Sequence, residues 1–182
     1  MTTFQPGTGG FLNPQNIVDN LEIKEGMIIA DFGCGNGYFT LPLAKKVGQK
    51  GKVFALDILL DALETLSSRA KTEGINNIQL KRCNLEKENG SGLLDNSCDM
   101  VFLTNLLFQT ENDENVVKEA YRILKPGGEL IFIDWRPDVA LGPKGKRVNP
   151  EEIKELMSKE KFSFEKEIPT DKYHFGMIFK KL

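Results

Sequence analysis

The sequence has 182 residues, of which 40% are hydrophobic and 27% are charged, and its formal net charge is −2. These values predict one globular domain spanning residues 1–182 and give no sign of a general basic field for nucleic acid, although RNA substrates stay open. No apolar run approaches the roughly 20 residues of a membrane span, and residues 1–10 lack the charge and apolar core of a signal peptide. The three cysteines indicate neither a disulfide framework nor a CxxC metal pair, so we expect a cytoplasmic protein without a metal site.

The first 20 residues are expected to form a flexible arm and a short lid helix. Residues 1–10 contain Pro6 and three glycines, which is typical of an arm. Asn13 followed by Pro14 indicates a helix start, with an N-cap side chain and a proline at the first helical position. This helix either covers the edge of the sheet or, together with residues 4–13, folds over a bound cofactor.

The rest of the chain alternates between apolar strands and amphipathic helices. Strands are predicted at residues 27–32, 53–57, 78–83, 98–104, 129–134, 162–168 and 172–180. One helix is predicted to carry Phe39, Leu43 and Val47, and a second to present Leu59, Leu63, Leu66 and Ala70 on one face. A third is predicted at residues 112–124, and a fourth begins at Asn149 and Pro150. The loop at residues 169–171 is too short for a parallel crossover, so the last two strands must be antiparallel. This order predicts an α/β three-layer sandwich with a mainly parallel sheet and one reversed strand.

A glycine-rich turn follows the first strand, in the sequence Asp31-Phe32-Gly33-Cys34-Gly35-Asn36-Gly37-Tyr38. A dinucleotide-binding turn has the spacing GxGxxG, which brings a pyrophosphate to a helix N-terminus. Here Tyr38 occupies the third glycine position, and Asp31 at the strand end would repel a pyrophosphate but attract an ammonium group. S-adenosylmethionine carries an ammonium group and no phosphate, so the turn favours S-adenosylmethionine over a dinucleotide.

Two more polar side chains follow neighbouring strands. Asp57 ends the second strand, at the distance from the glycines that suits an acceptor for ribose hydroxyls. Asn84 follows the third strand, and its amide is suited to the edge of an adenine. Because ligands of open parallel sheets bind outside the carboxyl ends of the strands, these residues predict a nucleoside-containing cofactor across that edge.

At this point the sequence resembles the class I S-adenosylmethionine-dependent methyltransferases, over roughly residues 21–182. The resemblance is carried by residues 30–37, 55–57, 98–102 and 124–130. It implies a Rossmann-like seven-stranded sheet of order 3-2-1-4-5-7-6 in which strand 7 is antiparallel. It also implies that the amino-acid end of the cofactor lies against Gly33 and Gly35.

The remaining cofactor contacts are also implied by this resemblance. Asp31 would lie beneath the amino-acid moiety, and Asn105 would lie beside its methionine end. Asp57 would bind the ribose. Ile58 would pack against the adenine, and Asn84 and Leu85 would border it. Many members of the family have Asp at the position of Asn84.

Within the family, residues 126–128, 133–135 and 142–143 look most like the ubiquinone-biosynthesis-like and arsenite-methyltransferase-like branch. Arsenite methyltransferases need a dedicated set of thiols. Cys34, Cys83 and Cys98 are instead interpreted as small buried residues, with Cys98 at the end of the sheet opposite the cofactor. Arsenite is therefore not the expected substrate.

No catalytic signature of a particular methyltransferase family is present. Strand 4 ends in Thr-Asn-Leu-Leu at residues 104–107, which counts against adenine or glutamine N-methylation. The candidates for catalysis are Asn105, the single tryptophan Trp135 and the single histidine His174. Trp135 is equally compatible with a structural role at the rim of the site, and for His174 a structural role is the favoured interpretation. Further substrate-site candidates are Phe108, Gln109, Asp134, Arg136, Tyr173 and the basic loop at residues 142–147.

These observations leave several functions open. The leading hypothesis is methyl transfer from S-adenosylmethionine to a small molecule. A protein or RNA methyltransferase that recruits its target through the lid and the basic loop is the second. A non-catalytic S-adenosylmethionine-binding module that serves a partner protein is the third.

Overall fold

The computed structural model describes residues 12–182, and this part of the chain contains seven strands and five α-helices. The strands are β1 (Ile28–Phe32), β2 (Lys52–Asp57), β3 (Ile78–Arg82), β4 (Cys98–Thr104), β5 (Leu124–Trp135), β6 (Phe162–Ile168) and β7 (His174–Lys181). The helices are α1 (Pro14–Asp19), α2 (Thr40–Val47), α3 (Leu60–Thr72), α4 (Asp113–Ile123) and α5 (Pro150–Lys159). The predicted flexible arm at residues 1–10 lies outside the described residues.

All seven strands form one sheet in the order β3-β2-β1-β4-β5-β7-β6, which confirms the predicted topology. The strands from β1 to β5 pair in parallel, and β7 runs antiparallel to both β5 and β6. The carboxyl ends of the parallel strands and the amino end of β7 therefore share one edge of the sheet. The carboxyl end of β6 lies at this edge as well, so residues from all seven strands can contribute to a site there.

Helices cover both faces of the sheet, as a three-layer sandwich requires. Buried side chains of α1, α2 and α3 pack on one face. The other face packs against α4 and α5. The predicted N-cap of α1 is confirmed, since Asn13 Oδ1 accepts the N–H of Asn16 at 3.1 Å. No helix in this part of the chain is long and apolar enough to cross a membrane.

Several predicted boundaries were wrong, and two of them have clear physical causes. Helix α4 ends at Ile123, and Leu124 is already extended and pairs with Cys98 as the start of β5. Pro126 lacks the N–H that a longer helix would need, so the chain joins the sheet earlier than predicted. Strand β7 starts at His174 because the Asp171 carboxylate accepts the N–H groups of Tyr173 and His174, which forms a turn before the strand.

The ammonium group of Lys181 is buried, which the sequence pattern did not indicate. Its Nζ donates to Asn96 Oδ1 at 2.8 Å and to the carbonyl oxygens of Tyr121 and Leu124 at 2.7 Å. It also lies 4.4 Å from the centre of the Tyr121 ring. Lys181 thereby joins the end of β7 to the junction between α4 and β5.

Lys181→Met is expected to lower the free energy of unfolding by about 1–2 kcal/mol, because two backbone carbonyls lose a buried donor while the apolar stem is kept. Urea denaturation followed by circular dichroism measures the loss. Lys180→Met is the matched control, since Lys180 is adjacent and exposed. Equal losses in the two variants would contradict the structural role of Lys181.

Candidate active site

A cavity of about 720 Å³ opens at the carboxyl edge of the sheet. This is within the size range of small-ligand sites. All residues that the sequence implied in cofactor binding border it: Asp31, Gly33, Gly35, Asp57, Ile58, Asn84, Leu85 and Asn105. The cavity also reaches the other two candidates for catalysis, Trp135 and His174. The fold therefore gathers residues that are up to 143 positions apart in the chain (174 − 31).

Asp31 places a buried carboxylate at the end of β1. Its Oδ2 accepts the hydroxyl of Thr40, at the start of α2, at 2.5 Å. Its Oδ1 is buried and finds no hydrogen-bond partner among residues 12–182. Burial raises the pKa of Asp31 to about 7, the Thr40 hydrogen bond opposes this rise, and the charge of Asp57 adds to it. A carboxylate oxygen without a donor at the cavity wall suits a cationic ligand group.

The glycine turn is held in place by Asp57. The N–H of Gly35 donates to Asp57 Oδ2 at 2.8 Å, and the N–H of Leu59 donates to Oδ1 at 2.9 Å. Gly35 has a φ of +50°, and a Cβ there would project into open space. Gly37 does not border the cavity, and its role is packing, because a Cβ there would lie 2.2 Å from Leu66 Cδ1.

The loop after β3 provides the far wall of the cavity. Leu85 is buried, whereas Ile58, which follows β2, exposes 53% of its surface. Asn84 Oδ1 accepts the N–H of Glu86 at 2.9 Å, so its amide nitrogen is the atom that can donate to a ligand. Glu86 also borders the cavity, and its Oε2 accepts the N–H groups of Glu111 and Asn112. The sequence interpretation missed Glu86, which fixes the approach to α4.

Asn105 follows β4 in a left-handed conformation with a φ of +50°. Such a conformation is strained for a residue with a Cβ and is concentrated at functional sites. The N–H of Asn105 donates to the carbonyl of Ile133 at 2.8 Å. Its side-chain Oδ1 is buried and has no hydrogen-bond partner within residues 12–182. Asn105 therefore brings a second unpaired acceptor atom to the cavity.

Trp135 and His174 form the opposite wall. Trp135 at the end of β5 pairs with His174 at the start of β7, and their ring centres are 4.2 Å apart. The guanidinium of Arg147 lies 5.5 Å from the centre of the indole ring. Gly142 allows the loop to approach this ring, since a Cβ there would lie 2.5 Å from Trp135 Cε3. Trp135 is thus wedged between the histidine and the basic loop.

Several substrate-site candidates lie elsewhere. Asp134 is fully buried and accepts the N–H of Trp135, and Arg136 pairs with Asp138. In the basic loop, Lys146 forms an ion pair with Asp113. The candidates that do not border the cavity are Phe108, Asp134, Arg136, Tyr173 and residues 142–147. Gln109 does border it.

The interpretation of the cysteines needs one correction. Cys98 is fully buried at the opposite end of β4, as predicted. Cys34 is also buried, as predicted, but Cys83 is only half-buried because it follows the exposed edge strand β3, and both residues border the cavity. Burial raises the pKa of Cys83 to about 11 and that of Cys34 well above its usual range. Both groups are therefore thiols at neutral pH, and no cluster of metal-ligating residues occurs within residues 12–182.

The fold and the cavity together define the class: an α/β domain for a nucleoside-containing cofactor with a cationic end. S-adenosylmethionine fits the residues present. The unpaired oxygen of Asp31 matches its ammonium group, and the open space at Gly35 admits its amino-acid moiety. The exposed face of Ile58 offers a surface for an adenine.

Comparisons with known proteins agree with this class. Residues 23–179 match the family described as methyltransferase domain. A demethylmenaquinone methyltransferase of Lactococcus lactis is 36% identical over 112 residues, which cover 60% of this chain and 42% of that protein. An arsenite methyltransferase of Aquipseudomonas alcaligenes is 32% identical over 120 residues, which cover 64% of this chain and 35% of that protein. The chain thus spans less than half the length of these two relatives.

A solved structure covers almost the whole fold. The crystal structure of a SAM-dependent methyltransferase from Aquifex aeolicus superposes with a TM-score of 0.85 at 25% sequence identity, covering 98% of this chain and 94% of that one. The chain therefore belongs to the methyltransferase domain family, among the class I S-adenosylmethionine-dependent methyltransferases, and its cofactor is S-adenosylmethionine.

Proposed function

We propose that this chain transfers the methyl group of S-adenosylmethionine to a small organic molecule. The observation that carries the proposal is the continuity of the cavity, which runs from Asp31 and Asp57 to Trp135 and His174. One end offers carboxylates for a cationic nucleoside cofactor. The other end offers an aromatic wall and unpaired acceptor atoms for a second molecule.

Each residue of the cofactor half has a proposed task. Asp31 attracts the ammonium group, and the turn at Gly33 and Gly35 lies against the amino-acid moiety. Asp57 accepts hydrogen bonds from the ribose. The nucleobase packs against Ile58 and is framed by Asn84 and Leu85. Asn105 lies beside the methionine end.

The bound cofactor would supply a sulfonium whose methyl group is transferred in line to a nucleophile, with the thioether sulfur as the leaving group. The chain contributes by aligning the two partners and excluding water, which accounts for most of the acceleration in such a displacement. The strained backbone and the buried Oδ1 of Asn105, a residue that borders the cavity, suit this alignment. Trp135 forms a rigid wall against which an apolar acceptor can stack.

The acceptor is proposed to be organic rather than arsenite. The similar proteins include both a demethylmenaquinone methyltransferase and an arsenite methyltransferase. Of the three cysteines, only Cys34 and Cys83 border the cavity, and burial keeps both thiols protonated at neutral pH. Since thiolates and not thiols are the effective ligands, these residues support arsenite binding poorly.

Label transfer tests this function. The protein is incubated with cell extract and S-adenosylmethionine carrying a tritiated methyl group, and the products are separated by size filtration and by protease and nuclease digestion. We expect the label in a low-molecular-mass fraction that resists both enzymes. Label confined to macromolecules would contradict the small-molecule proposal and favour a protein or RNA methyltransferase.

A second outcome would contradict catalysis itself. If the protein binds S-adenosylhomocysteine in calorimetry but transfers no label to any fraction, the result favours a non-catalytic S-adenosylmethionine-binding module. Asp57→Ala serves as the variant with impaired cofactor binding, and Asp61→Ala is its matched control. Asp61 is exposed in the first turn of α3 and does not border the cavity.

A further inference from the structure

His174 and Asp171 form a buried pair at the edge of the cavity. His174 Nδ1 lies 2.8 Å from Asp171 Oδ1, and the exposed fractions of the two side chains are 2% and 8%. The same carboxylate oxygen accepts the N–H groups of Tyr173 and His174, each at 2.8 Å. Three nitrogen atoms, two from the backbone and one from the imidazole, therefore converge on one carboxylate oxygen.

This arrangement selects one form of the imidazole. An ionised carboxylate accepts from Nδ1–H, so the neutral ring carries its proton on Nδ1 and a lone pair on Nε2. The backbone of His174 is also fixed, since Thr170 Oγ1 donates to its carbonyl oxygen at 2.8 Å. The pair therefore holds the imidazole in a defined orientation and tautomer.

The other ring nitrogen has no structural task. Nε2 of His174 is buried and finds no hydrogen-bond partner among residues 12–182. Buried polar atoms without partners are rare in folded proteins and call for an explanation. A purely structural histidine would have both nitrogens satisfied, whereas Nε2 of His174 has no partner in the described part of the chain and the residue borders the cavity.

The position of the pair fits the acceptor half of the site. His174 packs against Trp135, and Asn105 lies at the same cavity. The Asn105 Oδ1 is a second buried atom without a partner. The proposed carboxylate contacts to the cofactor come from Asp31 and Asp57 at the opposite end of the cavity, so they require neither His174 nor Asn105.

We infer that His174 is the proton acceptor of the reaction and that Asp171 is its positioning residue. This inference rests on the proposed methyl transfer and narrows the substrate to acceptors whose nucleophilic group arrives with an exchangeable O–H or N–H proton. As the bond from the acceptor to the methyl carbon forms, the bond from that carbon to sulfur breaks, and its electron pair stays on sulfur. The acceptor's proton passes to Nε2, and the resulting imidazolium is stabilised by the Asp171 carboxylate.

The first test uses the fact that the chain has one histidine. In protein labelled with ¹⁵N-histidine, a long-range ¹H–¹⁵N spectrum at pH 8 reports His174 alone. We expect the Nδ1–H tautomer in the wild type and a shift of the proton to Nε2 in Asp171→Asn, whose amide can donate to Nδ1. A wild-type imidazole protonated on Nε2 would overturn the inference, whatever the activity of the protein.

The second test measures label transfer from tritiated S-adenosylmethionine into the low-molecular-mass fraction of extract. His174→Gln is expected to reduce the rate by about 100-fold or more, the usual contribution of a general base. Asp171→Asn should reduce it at least tenfold, while both variants keep the wild-type affinity for S-adenosylhomocysteine within about threefold. Asp138→Asn, an exposed acid that pairs with Arg136, is the matched control with the wild-type rate.

The failures of the two proposals are distinguishable. If the wild type labels no small molecule, the proposed function fails. If the wild type transfers label and His174→Gln transfers it within threefold of that rate, the function stands and the role of His174 is refuted. Circular dichroism and thermal unfolding check that each variant is folded. If His174→Gln does not fold, the Asp171→Asn variant still tests the inference.

Discussion

Replacing Asp31 with Asn should weaken the binding of S-adenosylhomocysteine by about 10- to 100-fold at pH 8. The Asp31 carboxylate is 1% exposed, and its Oδ1 has no partner among residues 12–182. Loss of its charge removes the buried attraction for the ligand's ammonium group, an effect of about 1.4 kcal/mol for each factor of ten. Isothermal titration calorimetry measures the change, with Asp61→Asn as the exposed control.

The same residue predicts that cofactor affinity depends on pH. Burial raises the pKa of Asp31 to about 7 in the free protein, and a bound ammonium group lowers it again. Binding therefore releases a proton below pH 7, so wild-type affinity should rise by about tenfold or more between pH 5.5 and pH 8. The Asp31→Asn variant should show no such dependence. Equal affinities of the variant and the wild type at pH 8 would refute the assignment of Asp31 to the ammonium group.

Without ligand, Asp31→Asn should have the opposite effect on stability. Because the folded pKa is raised above 3.8, the wild type loses stability as the pH rises from about 4 to 7. Asn does not titrate, so the variant should be more stable than the wild type above pH 7, by at most about 4 kcal/mol. The difference should vanish near pH 4. Urea denaturation at these pH values measures it, and a variant less stable than the wild type at pH 8 would contradict the expected penalty.

Asp57→Ala is expected to weaken S-adenosylhomocysteine binding by about 1–3 kcal/mol, or roughly 5- to 150-fold. Two effects combine in this loss. The ribose hydroxyls lose an acceptor, and the N–H groups of Gly35 and Leu59 lose the carboxylate that holds the glycine turn. Calorimetry with Asp61→Ala as the control measures the total.

The two effects of Asp57 can be separated. Asp57→Asn keeps an acceptor oxygen for one of the two backbone N–H groups, so it should lose less affinity than Asp57→Ala. Amide hydrogen exchange at Gly35 should accelerate in Asp57→Ala even without ligand, because this N–H becomes free. Unchanged affinity in Asp57→Ala would mean that the ribose is bound elsewhere.

Much of the fold was predictable because it depends on local patterns. The Asn–Pro pairs at residues 13–14 and 149–150 each begin a helix, since the asparagine accepts a backbone N–H and the proline needs none. The connection between β6 and β7, residues 169–173, is too short for a parallel crossover and therefore required an antiparallel strand. The boundaries that failed, at Leu124 and His174, depend on contacts with Cys98 and Asp171 that periodicity does not report.

The candidate site was predictable in part for the same reason. Strand ends of a parallel sheet share an edge, so Asp31, Asp57 and Asn84 were expected together, and all three border the cavity. The sequence did not indicate that Glu86 borders the cavity or that Cys83 is partly exposed. Both follow the exposed edge strand β3, and their surroundings depend on how the next loop packs against α4.

The sequence by itself determined the sheet topology and the family of the cofactor site, because strand periodicity, turn length and glycine spacing are properties of short segments. Only the tertiary structure decided which polar atoms are satisfied. Lys181 is saturated by three acceptors, whereas Asp31, Asn105 and His174 each keep one buried atom without a partner in the described chain. That difference arises from neighbours that are distant in sequence, which the patterns of short segments do not report.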